Sequence, residues 1–274
     1  MVASSMFGSF SGNNWQSGND WGENLLDTVA SQSIARLFSE CEHIDVNIRC
    51  NPPSKLLQGA IDGFKMQGRN MVIRQQFPVA EMSFETDAVA IDPGSVLAGQ
   101  LKLKQPTQAL ARVVLSEAGL TRSFEADLVK ARLQNLDLDG LTGNWALSLV
   151  SFEDVSMKLG ADTNVTIAAT AKGVDCPALP LKFTTQVSVK RRRKIEFGTP
   201  TLHLDDVPAA HRRDAKSLID AMMLLLNDMV DLDRFDLDGI TLRLNRLETE
   251  GSNLVFGGYA QVEHFPRPGQ SGKG

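Results

Sequence analysis

A two-residue alternation of apolar and polar side chains, interrupted at short intervals by Gly and Pro, limits this chain to a mostly antiparallel β architecture. Ile44, Val46, Ile48 and Cys50 alternate with His43, Asp45, Asn47 and Arg49. Successive side chains of a strand point to opposite faces, so the segment predicts a strand with one buried face. Pro52-Pro53 closes it. Runs of the same kind recur at 60–67, 71–76, 81–86, 88–91 and 109–115, divided by Gly68, Pro78 and Asp87. They continue at 145–150, 154–158, 165–171, 183–189 and 195–197, separated by Gly160, Gly173, Pro177 and Pro180. The last two, 240–248 and 254–262, flank Glu250-Gly251-Ser252 and predict a hairpin.

Three segments follow helical spacing instead. Within 24–40 the apolar residues are Leu25, Leu26, Val29, Ile34, Leu37 and Phe38. Ser116-Glu117 opens a second helix, 116–133, with the stripe Leu120, Phe124, Leu128, Val129 and Leu133. The third and most apolar runs from about Pro208 to Leu232, and Pro208 suits a first turn. Its face of Leu218, Ile219, Met222, Met223, Leu226, Met229 and Val230 lies opposite Arg212, Arg213, Lys216 and Asp220. The near-identical heptapeptides at 136–142 and 235–241 each follow a helix, predicting two helix-plus-strand units at equivalent places. Neither is a calcium loop, because the twelfth position is Ser148 in one and Leu247 in the other, where a bidentate glutamate is needed.

Composition narrows the function classes. A formal net charge of -5 and a pI near 5.4 disfavour a nucleic-acid partner. With 274 residues, 42% of them hydrophobic, and no central linker, the chain predicts one domain over 23–265. Gly, Ser and Asn dominate 1–22, which predicts a disordered tail, as does the composition of 266–274. Phe7, Phe10, Trp15 and Trp21 punctuate the first tail, which is either a docking peptide for a protein partner or an idle extension. The longest apolar stretch, 221–226, is far short of the roughly 20 residues of a membrane-spanning helix. No Lys or Arg precedes Arg36 and no leader is legible, so the expected location is cytoplasmic and peripheral to a membrane.

The sequence carries no recognisable catalytic or metal-binding motif. The chain has no nucleophile elbow, phosphate-binding P-loop, H-E-x-x-H or dinucleotide fingerprint. His43, His203, His211 and His264 stand at no ligand spacing from one another. Cys41, His43 and Cys50 lack the paired cysteines of a zinc site, and with Cys176 they read as reduced thiols. No cofactor, metal or enzymatic role is therefore expected. One charge feature stands out: Lys190, Arg191, Arg192, Arg193 and Lys194 fall between two strands. Such a run either contacts an anionic membrane surface, at about 1 kcal/mol per basic residue, or forms a solvated hairpin tip.

The segments SKLLQGAIDGFKMQGRNMVI at 54–73, FETDAVAID at 84–92 and ALARVVLSEAGL at 109–120 resemble the LmeA-like phospholipid-binding family, cyanobacterial members in particular. The resemblance covers roughly residues 42–262 and rests on glycines and alternating apolar positions. It implies an α+β fold of tubular lipid-binding type, a long curved antiparallel sheet wrapped around a long helix with an apolar groove between them. It further implies a non-enzymatic protein that holds a phospholipid or other long apolar molecule. Leu218, Ile219, Met222, Met223, Leu226 and Met229 are the candidate lipid-binding residues, since methionine adapts to irregular shapes; the alternative is that they seal an ordinary core. The competing function is an accessory or assembly factor on a membrane protein complex, such as a photosynthetic one, docked through the aromatic tail.

Overall fold

The computed structural model describes residues 27–28, 30–31, 38–73, 76–98, 102–138, 149–173, 178–230 and 239–264. In chain order the strands are β1 (Phe38–Arg49), β2 (Ala60–Ile61), β3 (Gly63–Ile73), β4 (Phe77–Thr86), β5 (Val89–Ala90), β6 (Thr107–Ser116) and β7 (Leu136–Asp137). They continue with β8 (Leu149–Leu159), β9 (Asn164–Gly173), β10 (Leu179–Lys190), β11 (Lys194–Phe197), β12 (Thr201–Leu202), β13 (Ile240–Glu250) and β14 (Asn253–Val262). The helices are α1 (Ser54–Leu57), α2 (Pro93–Leu97), α3 (Glu117–Ser123), α4 (Asp127–Lys130) and α5 (Arg212–Met229). Class and content agree with the expectation: mixed, dominated by strands, with a sheet curled into a half-barrel.

The strands pair into two six-stranded antiparallel sheets and a small β2–β5 ribbon rather than one long sheet. The first sheet runs β1-β3-β4-β6-β14-β13; the second runs β11-β10-β9-β8-β7, with β12 also on β10. Because β6 pairs with β14, the second sheet and α5 lie in sequence between two neighbouring strands of the first.

Each sheet has its own core. In the second, Leu179, Leu181, Phe183, Thr185 and Val187 of β10 are buried on one side, alternating with Lys182, Gln186 and Ser188 on the other, which are exposed. Leu179, Leu181, Phe183 and Val187 join Val165 and Ile167 of β9, Phe152 and Met157 of β8, and the apolar side of α5 in one cluster. Leu244 of β13 belongs to it as well, tying the first sheet to the second. A separate cluster under β1, β3 and β4 gathers Val46, Ile48, Met66, Met71 and Ile91. Burying a side chain of this kind contributes about 1.5–3 kcal/mol.

Three local expectations need correction. Residues 27–28 and 30–31 are helical and Ala30 is fully buried, but 38–40 belong to β1, where pairing of Phe38 with Ile73 and Glu40 with Val72 overrides the helical spacing. The 116–133 segment begins as expected, with the Ser116 hydroxyl accepting the Gly119 N–H at 3.1 Å. It then breaks after Ser123, because Ala126 turns extended and the Gln76 side chain bonds both the Asp127 N–H (2.9 Å) and its carboxylate (2.7 Å). Gly68 does not divide two strands, since β3 runs through it and the Met71 sulfur occupies the space a Cβ would need. Of the two heptapeptides, 136–137 form β7 and Ile240 opens β13, both edge strands but of different sheets; 139–142 and 235–238 lie outside the described residues.

Candidate functional site

Helix α5 holds the methionine-rich stripe, and the structure encloses most of it. Leu218, Ile219 and Met222 have no exposed surface, Leu226 2% and Met223 7%, while Met229 is half-buried. Two polar links fix the helix against its sheet. The Asn227 amide pairs with the backbone of Phe197, accepting its N–H at 2.9 Å and donating to its carbonyl at 3.1 Å. Beyond the last turn, Ile195 N–H donates to the Val230 carbonyl at 3.1 Å.

The first sheet offers a different apolar surface, which sequence reasoning missed. In register across six strands lie Ile44, Gly68, Met82, Val113, Phe256 and Leu247. The neighbouring row is Val46, Met66, Phe84, Ala111, Gly258 and Leu244. Residues directly opposite in a ladder share a face, so both rows lie on one side of the sheet and neither holds a polar side chain. Ile44, Phe84, Val113, Phe256 and Leu247 are only half-buried. Phe84 and Val113 pack on the cluster under β1, β3 and β4, whereas Phe256 and Leu247 pack on the α5 cluster. The half-open apolar rows thus bridge the two cores. Alternation could have found the individual residues, but their alignment depends on pairings between segments more than a hundred residues apart.

β8 is paired with β7 only at Val150 and Leu149, and helix α3 supplies further partners: Thr121 Oγ1 meets both Met157 N (3.1 Å) and Met157 O (3.2 Å), and the Glu117 carboxylate accepts the Leu159 N–H at 2.8 Å. An open depression of about 550 Å³ lies beside this contact, lined by Glu117, Thr121, Arg122, Glu125, Asp154 and Ser156. Ala118 and Val155 complete its lining, beside the charged Glu117, Arg122, Glu125 and Asp154.

The basic run forms the β10–β11 turn. Lys190 and Lys194 face each other in register, and Arg193 N–H donates to the Lys190 carbonyl at 3.2 Å. Arg191 and Arg192 both adopt left-handed backbone, φ 52° and 61°. The five residues differ in exposure. Lys190, Arg191 and Arg192 are exposed, Lys190 being paired with Glu196, while Arg193 and Lys194 are half-buried. The turn abuts the first sheet: Leu244 N–H donates to the Arg192 carbonyl at 2.7 Å, and the Arg192 guanidinium lies 5.9 Å from the centre of the Tyr259 ring.

Cys41 and Cys50 stand nine residues apart along an extended segment, about 30 Å, and cannot share one ion with His43. Burial pushes the Cys41 thiol pKa up, against a smaller downward effect of the His43 backbone, and the raised value favours the unreactive protonated form. No described helix is long and apolar enough to cross a membrane. The aromatic tail 1–22 lies outside the described residues. Comparison with known proteins gives one positive result: the family model for LmeA-like phospholipid-binding matches residues 18–258. No curated protein matches the chain, and no solved structure does.

Proposed function

The chain belongs to the LmeA-like phospholipid-binding family, and from that premise we propose that it holds the acyl part of a phospholipid against the half-buried face of the six-stranded sheet. The observation that carries this reading is the pair of wholly apolar rows linking the two cores. Five interstrand steps of about 4.8 Å make a track of roughly 24 Å. One leaflet of a bilayer, half of its ~30 Å hydrocarbon core, holds chains of about 15 Å, so the track accommodates one. Each methylene removed from water contributes about 0.8 kcal/mol.

In this reading the groove lies between the sheet face and the α5 cluster. Met229, the half-buried member of the helix stripe, meets the ligand, while Leu218, Ile219, Met222, Met223 and Leu226 form the packed wall behind it. The basic turn at 190–194 orients the protein at an anionic surface, peripheral to the membrane.

Native mass spectrometry of the purified full chain tests the groove. The parent is expected to retain phospholipid. Val113→Trp, which fills the middle of the track, is expected to lose it with a melting temperature within a few degrees of the parent. Recovery of no apolar ligand from the parent, or undiminished lipid in the tryptophan variant, overturns the reading. Deleting 1–22 separates it from the docking-factor alternative, because lipid retention survives that deletion and capture of a membrane complex through the tail does not.

A further inference from the structure

A single exposed leucine is ordinary on a protein surface, and what surrounds it decides whether it carries information. Four leucines among the described residues have large exposed surfaces: Leu57 at 78%, Leu224 at 61%, Leu128 at 60% and Leu149 at 41%. Three of them stand beside carboxylates. Leu224 lies one helical turn from Asp220 and one from Asp228, Leu128 directly follows Asp127, and Leu149 is opposite Asp137 in register. Leu57, the most exposed, lies in a stretch without any: residues 50–61 contain no Asp or Glu, nor do 93–116, although these acids make up 33 of the 274 residues.

The fold brings these two carboxylate-free stretches together as one cap. α1 follows β1 through Asn51-Pro52-Pro53, and behind it the Gly59 carbonyl accepts the Ile91 N–H at 2.8 Å. Lys104 reaches the Gln58 carbonyl with its Nζ at 3.4 Å, while Ile91 bridges Leu103. The fit is close enough that a Cβ on Gly59 would fall 2.3 Å from the Ile91 carbonyl oxygen and 2.5 Å from Lys104 Nζ. Leu56 and Leu103 pack on the cluster under β1, β3 and β4, so α1 is anchored by one leucine and presents the next to solvent. Pro52, Pro53 and Pro106 are exposed around it, as are Lys102 and Lys104. The two carboxylates that border the cap are engaged: Asp62 accepts from Lys55 Nζ at 2.7 Å, and Asp92 accepts the Gly94 N–H at 3.1 Å. Among the described ion pairs neither Lys102 nor Lys104 takes a carboxylate.

The cap also has a defined place relative to the apolar track. β1, β4 and β14 finish, and β3, β6 and β13 begin, at one end of the first sheet, and the cap closes that end beside β1. The row through Val46 lies three residues inside Arg49, about 10 Å away. The basic 190–194 turn meets the same sheet at Leu244 and Tyr259, close to where β13 begins at Ile240 and β14 ends at Val262. Cap and turn therefore approach one end of the sheet from its two edges.

We propose that this cap docks on an anionic lipid surface, with Leu57 entering the boundary between head groups and acyl chains and Lys102 and Lys104 meeting lipid phosphates beside it. The proposal rests on the phospholipid reading above and deepens it by naming the end of the molecule through which a lipid reaches the track. Lysine suits the position, since its apolar stem lies along a hydrophobic surface while the ammonium stays in water. Attachment of this kind combines buried apolar area with attraction to anionic lipids, and the two contributions can be removed one at a time.

Flotation of the full chain with vesicles tests this, using phosphatidylcholine mixed with phosphatidylglycerol and phosphatidylcholine alone. The parent is expected to float with the mixed vesicles and weakly with the neutral ones. Leu57→Ser is expected to lower binding about tenfold, the scale of withdrawing one leucine side chain from an apolar phase. Leu224→Ser, the same change at a leucine between two carboxylates, is expected to leave binding unchanged. Lys102→Gln/Lys104→Gln should weaken binding to the mixed vesicles severalfold, and high salt should reproduce that loss in the parent. These side chains are exposed, so melting temperatures should stay within a few degrees of the parent. Insertion is read separately: Leu57→Trp adds one indole to three native tryptophans, and brominated acyl chains should quench the added emission, with Leu224→Trp as the unquenched reference. A parent that does not float, a Leu57→Ser variant that floats like the parent, or an added emission at position 57 that brominated chains leave unchanged overturns the proposal. Capture of a protein by the parent and not by Leu57→Ser, with equal vesicle binding in both, assigns the cap to a protein partner and also overturns it. Leu57 lies outside the apolar track, so Leu57→Ser should still carry co-purified phospholipid in native mass spectrometry, and the two readings fail separately.

Discussion

At the residue scale, two glycines of one hairpin show how differently the same residue type is required. A Cβ on Gly258 would lie 2.1 Å from the Arg243 carbonyl oxygen and 2.9 Å from the Leu244 Cα, backbone atoms that yield only if β13 moves. Gly251, at the turn, has nothing within 4 Å of such a Cβ but holds φ +60°. Gly258→Ala should therefore cost about 2–3 kcal/mol, as overpacking does, and Gly251→Ala about 1 kcal/mol. Urea titrations of both variants check this, and the reverse order would mean that the β13–β14 register differs. Asp62 provides a pH signature. The hydrogen bond from Lys55 Nζ (2.7 Å) and then that from the Asn51 N–H (2.7 Å) hold its carboxyl below the ordinary 3.8. A depressed folded value means that the stabilising contribution is present above 3.8 and is lost as pH falls through the folded value. Both side chains are about a third exposed, so Asp62→Asn should cost only about 0.5–1 kcal/mol at neutral pH. That difference should shrink steadily in melts run below pH 3.8.

At the element scale, helix α5 is coupled to its sheet through a side chain that imitates a strand. Asn227 offers β11 one acceptor and one donor, and removing it leaves the half-buried Phe197 amide and carbonyl to find other partners. Asn227→Ala should destabilise by about 1–3 kcal/mol in chemical denaturation, and Asn227→Asp, which keeps only the acceptor, should also destabilise. An alanine variant as stable as the parent would show that the helix is held by apolar contact alone. Elements of this kind were legible in the sequence where their signal is local. Alternation marked β1, β6, β9 and β14, and apolar spacing marked α5. The break between α3 and α4 was not legible, because its cause is Gln76, some fifty residues away. Nor was the conformation at Arg191 and Arg192, where residue preference argues for another turn. The candidate site was legible only in part: the stripe on α5 and the basic run stood out as sequence features. The apolar rows did not, since Val113 and Phe256 become neighbours only through the β6–β14 ladder.

At the scale of the whole molecule, that same ladder sets an order of events. β6 is complete when Ser116 emerges, but its partner on one side, β14, begins at Asn253. At typical synthesis rates of about 5–20 residues per second, β6 waits on the order of ten seconds with that edge unpaired, while the second sheet and α5 are still being made. An unpaired edge beside apolar residues is a template for pairing with other chains. The newborn protein therefore spends its most adhesive interval with the future lipid track only partly built, Leu244, Leu247, Phe256 and Gly258 being its last residues to arrive. The hairpin that seals the sheet against other chains is also the one that completes the surface for its ligand, so self-association and ligand capture compete for the same apolar face during synthesis.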